Sequence, residues 1–294
     1  MERVELQLAE LTWLVGGGEV AVLSGAGIST ESGIPDYRGP TGAARRFAPM
    51  TYQTFSRDPA ARRRYWARSY LGWRTIARAT PNAGHHAVAE LQRAGLVRGI
   101  VTQNVDGLHQ AGGASGVIEL HGSLDMVICL DCGQRSPRER LDSRLRAANG
   151  GFVPTTMTVN PDGDAELDEA AVTGFQVVAC ESCAGVLKPD VVFFGENVPV
   201  DRVRAAFEVV EGARALLVLG SSLTVMSGRR FVLRASRLGI PVAIVNQGST
   251  RGDTHAQLAI DAPLGQLLPR LAARLGRPVV PAGYPSPASR AARA

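Results

Sequence analysis

The stretch VAVLSGAGISTESGIPDYRG, residues 20–39, constrains the fold more than any other part of this chain. An apolar, β-type run over residues 20–23 empties into Gly25-Ala26-Gly27, and a second tight turn follows at Gly33. A strand that ends in a small-residue turn lets backbone N–H groups approach a pyrophosphate with no side chain in the way. A dinucleotide is therefore the first candidate ligand. The fingerprint of hydride-transfer dehydrogenases wants a third glycine three residues after the second and an acidic residue about 20 positions on. Thr30 stands at the first place and Arg45-Arg46-Phe47 near the second, which weakens the hydride-transfer reading. Instead, Asp36, Tyr37 and Arg38 put a carboxylate, an aromatic ring and a guanidinium just past the turn.

The same pattern recurs downstream. Residues 96–102 read as a buried strand that delivers Gln103, Asn104 and Asp106; residues 216–219 end at Gly220-Ser221-Ser222; residues 240–245 end at Asn246-Gln247-Gly248. Ligands of open α/β sheets bind beyond the C-terminal ends of the strands, so the repetition predicts one shared crevice. A further short strand, 117–120, ends at His121-Gly122. Of the five histidines, His121 is the candidate base, because it leaves a buried strand beside a glycine and an imidazole titrates near neutral pH. His85, His86, His109 and His255 read as structural. Residues 191–196 read as an apolar strand that is either core or one wall of a channel for an aliphatic side chain.

At 294 residues, with 45% hydrophobic and 20% charged residues, the chain reads as soluble and globular, with one large domain or a large and a small one. The net charge of +5 rests on arginine, since Lys188 is the only lysine, and the basic residues form no dense cluster around the cysteines. Nucleic-acid binding is not expected. Glu2, Glu5 and Glu10 alternate with Val4, Leu8, Leu11 and Val15 in the rhythm of an amphipathic helix, not of a signal peptide, and no apolar run reaches membrane-spanning length. A cytoplasmic location is expected, with cysteines reduced or metal-bound. Cys129-x-x-Cys132 and Cys180-x-x-Cys183 use all four cysteines and predict a closed, structural Zn site in a small inserted module, a redox pair being the alternative. Residues 60–79 read as a helix whose Tyr65, Trp66, Tyr70 and Trp73 form core or a pocket wall. Residues 137–148 read as helical, 160–169 as an acidic turn, and 277–294, rich in Pro, Ala and Arg, as a disordered tail.

GAGIS with GIPDYRG, TQNVDGLH, the His121-Gly122 pair, two CxxC pairs, KPDVVFFGE, GSSLTV and NQG, in that order, resemble the sirtuins, NAD-dependent protein lysine deacylases. The resemblance runs from Val20 to Leu268. Tyr65-Trp66-Ala67-Arg68, Cys129-Leu130-Asp131-Cys132-Gly133 and Pro161-Asp162-Gly163-Asp164 look most like the class II branch, bacterial members included. It implies an α/β fold in which a Rossmann-like parallel sheet domain carries a smaller inserted zinc-binding module. Residues 1–40, 81–126 and 185–276 would form the NAD-binding domain, 41–80 the cofactor loop and helical part of the small domain, and 127–184 the zinc module.

The resemblance also implies roles. Gly25, Ala26, Gly27, Ile28 and Ser29 would line the pyrophosphate and nicotinamide end, with Asp36, Tyr37 and Arg38 in a cofactor-binding loop. Gln103, Asn104 and Asp106 would hold the nicotinamide ribose and carboxamide. Gly220, Ser221, Ser222, Asn246, Gln247 and Gly248 would face phosphates and adenosine, with Leu264 at the adenine. His121 would act as base, with Asn104 beside it in the catalytic set. Val192, Phe193, Gly195 and Glu196 would clamp an acyl-lysine protein substrate by strand addition. Products would be free lysine, nicotinamide and 2′-O-acyl-ADP-ribose. Desuccinylating sirtuins carry a Tyr-x-x-Arg pair upstream of the PNAGH segment; counting back from Pro81 puts those places at Ser69 and Gly72, so a neutral acyl group is expected. Mono-ADP-ribosyl transfer to protein, or lipoamidase activity, is the alternative use of the same cofactor, and a non-enzymatic zinc-ribbon nucleic-acid binder the distant one.

Overall fold

The buried apolar runs become strands of one parallel sheet. The computed structural model describes residues 2–36, 49–152, 167 and 172–276. Six strands, β1 (Val20–Ser24), β2 (Val97–Thr102), β3 (Ile118–Glu119), β7 (Ala215–Leu219), β8 (Val242–Asn246) and β9 (Leu258–Asp261), lie in the order β3-β2-β1-β7-β8-β9. All neighbouring pairs run parallel. Parallel strands covered on both faces need apolar side chains throughout, and the two-residue period divides them between two cores. Val20, Val22, Leu217 and Leu219 pack with α1 (Glu2–Gly16), α4 (Ala83–Arg93) and α9 (Leu264–Leu275). Ala21, Leu23, Leu216 and Val218 pack with α7 (Val200–Glu211) and α8 (Met226–Arg237).

Local chemistry sets where the helices begin. Asn82 caps α4 by accepting from the Gly84 and His85 N–H groups, while its own N–H donates to His85 Nδ1, a reciprocal capping box. Pro59 opens α3 (Pro59–Arg78), whose cap Asp58 accepts from the Ala60 N–H at 2.8 Å.

A second, antiparallel sheet in the order β5-β4-β6 joins β4 (Gly122–Cys129), β5 (Arg135–Pro137) and β6 (Leu187–Val191). With α2 (Tyr52–Arg57), α3 and α6 (Arg138–Ala148) it encloses a third core built on Phe55, Tyr65, Trp66, Val127 and Leu187. Phe55, Tyr65 and Phe193 meet edge to face at 5.1–5.3 Å between centroids. Tyr65, Trp66 and Tyr70 of α3 are thus buried in this core, with Trp73 partly buried against it.

Three features differ from the expected organisation. β4 runs through the expected 126/127 boundary. β6, expected with the large domain, pairs with β4 at Val127↔Pro189 and Ile128↔Lys188. The strand expected over 191–196 ends at Val191, because Gly195 adopts φ +77° and the Glu196 carboxylate accepts from the Phe193 N–H, closing a turn. The expected acidic turn, apart from residue 167, and the 277–294 tail lie outside the described residues.

Chain order reverses between β1 and β7, which opens a crevice beyond their C-terminal ends. There the two turns touch through backbone: Gly25 N–H donates to Leu219 O at 2.9 Å and Gly27 N–H to Gly220 O at 2.8 Å. Cβ atoms on Gly25 and Gly27 would lie 2.8 Å from Gly220 backbone atoms. At Gly220, φ is +62° and a Cβ would lie 2.6 Å from Ile28 N. Gly220→Ala is therefore expected to cost at least about 1–3 kcal/mol, since it combines left-handed backbone with a backbone clash. Chemical denaturation checks this, and an unchanged midpoint would contradict it.

Candidate active site

The turns beyond β1, β2, β3, β7 and β8 line one cavity of about 400 Å3, closed on the other side by residues 191–198 next to the small sheet. That volume lies within the roughly 300–1,000 Å3 usual for small-molecule sites. Gly25, Ala26, Gly27, Ser29, Asp36, Gln103, Asn104, Asp106, His121, Gly220, Ser221, Ser222, Asn246, Gln247 and Leu264 all border it, as do Val192, Phe193, Gly195 and Glu196. Ile28 does not: its side chain is buried in the core with α4 and α9. Gly248 borders a separate surface hollow with Asp253 and Asp261. Tyr37 and Arg38 lie outside the described residues.

A polar network ties these turns together. Ser29 Oγ donates to Asp106 Oδ2 at 2.7 Å and accepts from Asn104 Nδ2 at 3.0 Å, joining the turns after β1 and β2. Gln103 Nε2 donates to Ser24 O and, at 2.8 Å, to Ser221 Oγ, adding β7. Burial pushes the Asp106 carboxyl up, against the pull of hydrogen bonds from the Leu108 N–H, Ser29 and Asn104.

Two further imidazoles underlie the network as neutral groups. Because His85 Nδ1 accepts from Asn82, its Nε2–H faces Ser29 Oγ at 3.4 Å. His109 Nε2 lies 2.8 Å from Ser24 Oγ. Burial lowers their pKa values to about 3 and about 4, with His109 and His86 adding to the effect at His85.

His121 is held from two sides. Nδ1 lies 2.8 Å from Gln103 O, and a carbonyl only accepts, so Nδ1 carries the proton and Nε2 is the titrating atom. Nε2 lies 2.8 Å from Ser227 Oγ in the first turn of α8. Burial lowers the His121 pKa, the bond to Gln103 O opposes this, and the charges of Arg202 and Arg230 add to the lowering. The result is a neutral ring with a basic nitrogen at the cavity wall.

Around the expected substrate clamp, the protein already uses several polar groups internally. Val192 N–H donates to His121 O at 2.7 Å, Tyr52 N–H to Phe194 O and Gln53 Nε2 to Gly195 O. The Glu196 carboxylate pairs with the buried Lys188 ammonium at 3.2 Å, and Lys188 also donates to Pro189 O and Val191 O and stacks on the Phe193 ring. Glu196 thus fixes this turn from within. Tyr65, and neither Ser69 nor Gly72, borders the cavity. Ser69 is buried against the Arg138 guanidinium. Tyr65, read as core or a pocket wall, is both; Ser227 and Lys188 were assigned no role, Ser227 because it has no spacing signature and Lys188 because its partners appear only in the fold.

Away from the cavity, the Sγ atoms of Cys129, Cys132, Cys180 and Cys183 lie within 4.8 Å of one another, Cys129 and Cys183 at 3.5 Å and Cys132 and Cys180 at 3.9 Å. Four sulfurs about 2.3 Å from a tetrahedral Zn2+ stand about 3.8 Å apart, whereas a disulfide needs about 2.0 Å. The donor set therefore fits a structural zinc with no open position. N–H groups of Ser182 and Cys183 draw the Cys180 thiol down to about 7, toward the thiolate a metal requires.

Comparison with known proteins places this geometry. The Sir2 family model matches residues 25–227. NAD-dependent protein deacetylase 1 of Streptomyces coelicolor is 61% identical over 269 residues, covering 92% of this chain and 90% of the relative. NAD-dependent protein deacetylase 1 of Mycobacterium avium is 51% identical over 271 residues, covering 90% and 95%. Among solved structures, a Sir2 with a p53 peptide and NAD+ superposes with a TM-score of 0.72 at 30% identity, covering 91% of this chain and 98% of that one. No helix among the described residues is long and apolar enough to cross a membrane.

Replacing Cys129 by Ser is expected to remove zinc from the purified protein and lower its melting temperature. Elemental analysis checks it: about one zinc per wild-type chain and none in the variant. Wild-type protein that is folded without zinc would contradict the assignment.

Proposed function

Because the chain belongs to the Sir2 family, we propose that it is an NAD-dependent protein deacetylase that uses the cavity beyond β1, β2, β7 and β8 to hold NAD and an acyl-lysine side chain together. The single observation that carries the reading is His121: an imidazole that borders the cavity, with Nδ1–H fixed on Gln103 O and the basic Nε2 bonded to Ser227, which borders the cavity too. The fit to NAD rests on the small-residue turns, which leave backbone exposed at the switch point, and on the amides and carboxylate of Gln103, Asn104 and Asp106 at one end. NAD, when bound, supplies a glycosidic bond whose cleavage releases nicotinamide and a ribose whose hydroxyls receive the acyl group.

The chain's own residues do the rest. Asn104, held by Ser29 and Asp106, presents an amide beside the place for the nicotinamide ribose. His121 Nε2 would accept the proton of a ribose hydroxyl of the bound cofactor, acting as the general base. Ser221, Ser222, Asn246 and Gln247 border the cavity and would hold phosphates and adenosine. Val192, Phe193 and Gly195 border the acyl-lysine entry, and the rings of Phe193 and Tyr65 favour a neutral acyl group over an acidic one. Free lysine, nicotinamide and 2′-O-acyl-ADP-ribose are the products of this reading, acyl groups beyond acetyl its extension, and the reducing cytoplasm its location.

Incubation with NAD and an acetyl-lysine peptide is expected to yield equal amounts of deacetylated peptide, nicotinamide and acyl-ADP-ribose by mass spectrometry. His121→Ala is expected to lower deacetylation by about 100-fold or more with the fold retained. ADP-ribosylated peptide in place of acyl-ADP-ribose, or unchanged turnover in the variant, would overturn the reading.

A further inference from the structure

His121 is not open to the cavity on its own terms, because Ser227 stands at its basic nitrogen. Nδ1 keeps its proton against Gln103 O, so the Nε2 lone pair of the neutral ring accepts the Ser227 hydroxyl proton across 2.8 Å. The position of Ser227 is itself set by packing. Its neighbour Gly228 lies against the Gln103 side chain, where a Cβ would fall 2.3 Å from Oε1. The residue that fixes one nitrogen of the ring and the turn that fixes the other therefore press on each other. Both Ser227 and His121 border the cavity.

The geometry points to Ser227 as a positioning residue for the proposed reaction: its hydroxyl fixes the Nε2 edge of the His121 ring at the cavity wall and yields its place to a cofactor hydroxyl. The exchange breaks one hydrogen bond, from Ser227 Oγ–H to Nε2, and forms one, from the incoming hydroxyl to the same lone pair. No proton changes owner until that hydroxyl is deprotonated. The inference rests on the deacetylase reading for the identity of the incoming group, but the bond to His121 exists without it.

The Ser227 hydroxyl donates to Nε2 of the neutral ring and, turned about its C–O bond, accepts from Nε2–H of the imidazolium; the bond to the charged ring is the stronger, so removing the hydroxyl lowers the pKa of His121, and the pH at which the base becomes available falls with it. The charges that act on the ring are Arg202 from α7 and Arg230 from α8, both of which favour the neutral form. Glu119 in the preceding strand and Asp106 after β2 are both pushed toward their neutral forms by burial. Ser227→Ala leaves all of these in place.

The test is a histidine NMR titration of the full-length ligand-free protein as wild type, Ser227→Ala and Ser227→Thr. The alanine variant is expected to titrate at His121 about 0.5–1 pH unit lower, with the threonine variant restored toward wild type. In kinetics the acid limb of kcat/KM, which reports the free enzyme, moves down by the same amount in the alanine variant, while that of kcat moves less. Identical His121 titration and tautomer in wild type and Ser227→Ala would overturn the proposal, as would equal shifts in both limbs. Absence of deacetylation with the NMR shift present would instead remove the enzymatic reading and leave the Ser227 bond intact.

Discussion

Everything at the cavity depends on the contact between two backbone turns at the point where the sheet reverses direction. The turns after β1 and β7 approach until amides of Gly25 and Gly27 donate into Leu219 and Gly220, and none of the three glycines there has room for a Cβ. Glycine is needed at that contact because backbone meets backbone, before any ligand is considered. With the turns locked together, side chains from β1, β2 and β7 converge: Ser29, Asn104, Asp106, Gln103 and Ser221 become one hydrogen-bonded group. The neutral His85 and His109 supply partners from below without adding charge.

The small sheet contributes the opposite wall. Its three antiparallel strands are too short to hold shape without their own core, which Phe55, Tyr65 and Trp66 supply, and the cysteine cluster staples its far end. β4 starts at Gly122, directly after His121, so the strand that leads to the zinc site begins at the candidate base. β6 runs back from it and ends at Val191, where Lys188 and Glu196 pin the cavity-lining turn. The module is thus distant from the chemistry at its cysteines and continuous with it at its other end.

Much of this was legible in the sequence, and the reasons are physical. Strands buried on both faces leave uninterrupted apolar runs ending in glycine or small polar residues, so β1, β2, β7 and β8 and their turns stood out. Four cysteines in two pairs announce a metal site because few other arrangements need them. The strand expected over 191–196 stops at Val191 because residues 191–194 are of strand-forming type while the turn is closed by the Glu196 carboxylate on the Phe193 N–H and on Lys188, side-chain bonds that an apolar run does not announce. Ile28 follows the glycine motif in sequence, yet the turn directs its side chain into the core. Ser227 was invisible because its partner, His121, is 106 residues away, and a single serine at the start of a helix has no pattern to betray it.

The central claim, that the converging turns form one pocket shaped for an adenine dinucleotide, is tested most directly by isothermal titration of the zinc-loaded protein with ADP-ribose. The account predicts a single saturable site per chain, with NAD competing for it. Absence of binding heat, together with no perturbation of His121 resonances at saturating ADP-ribose, would contradict it.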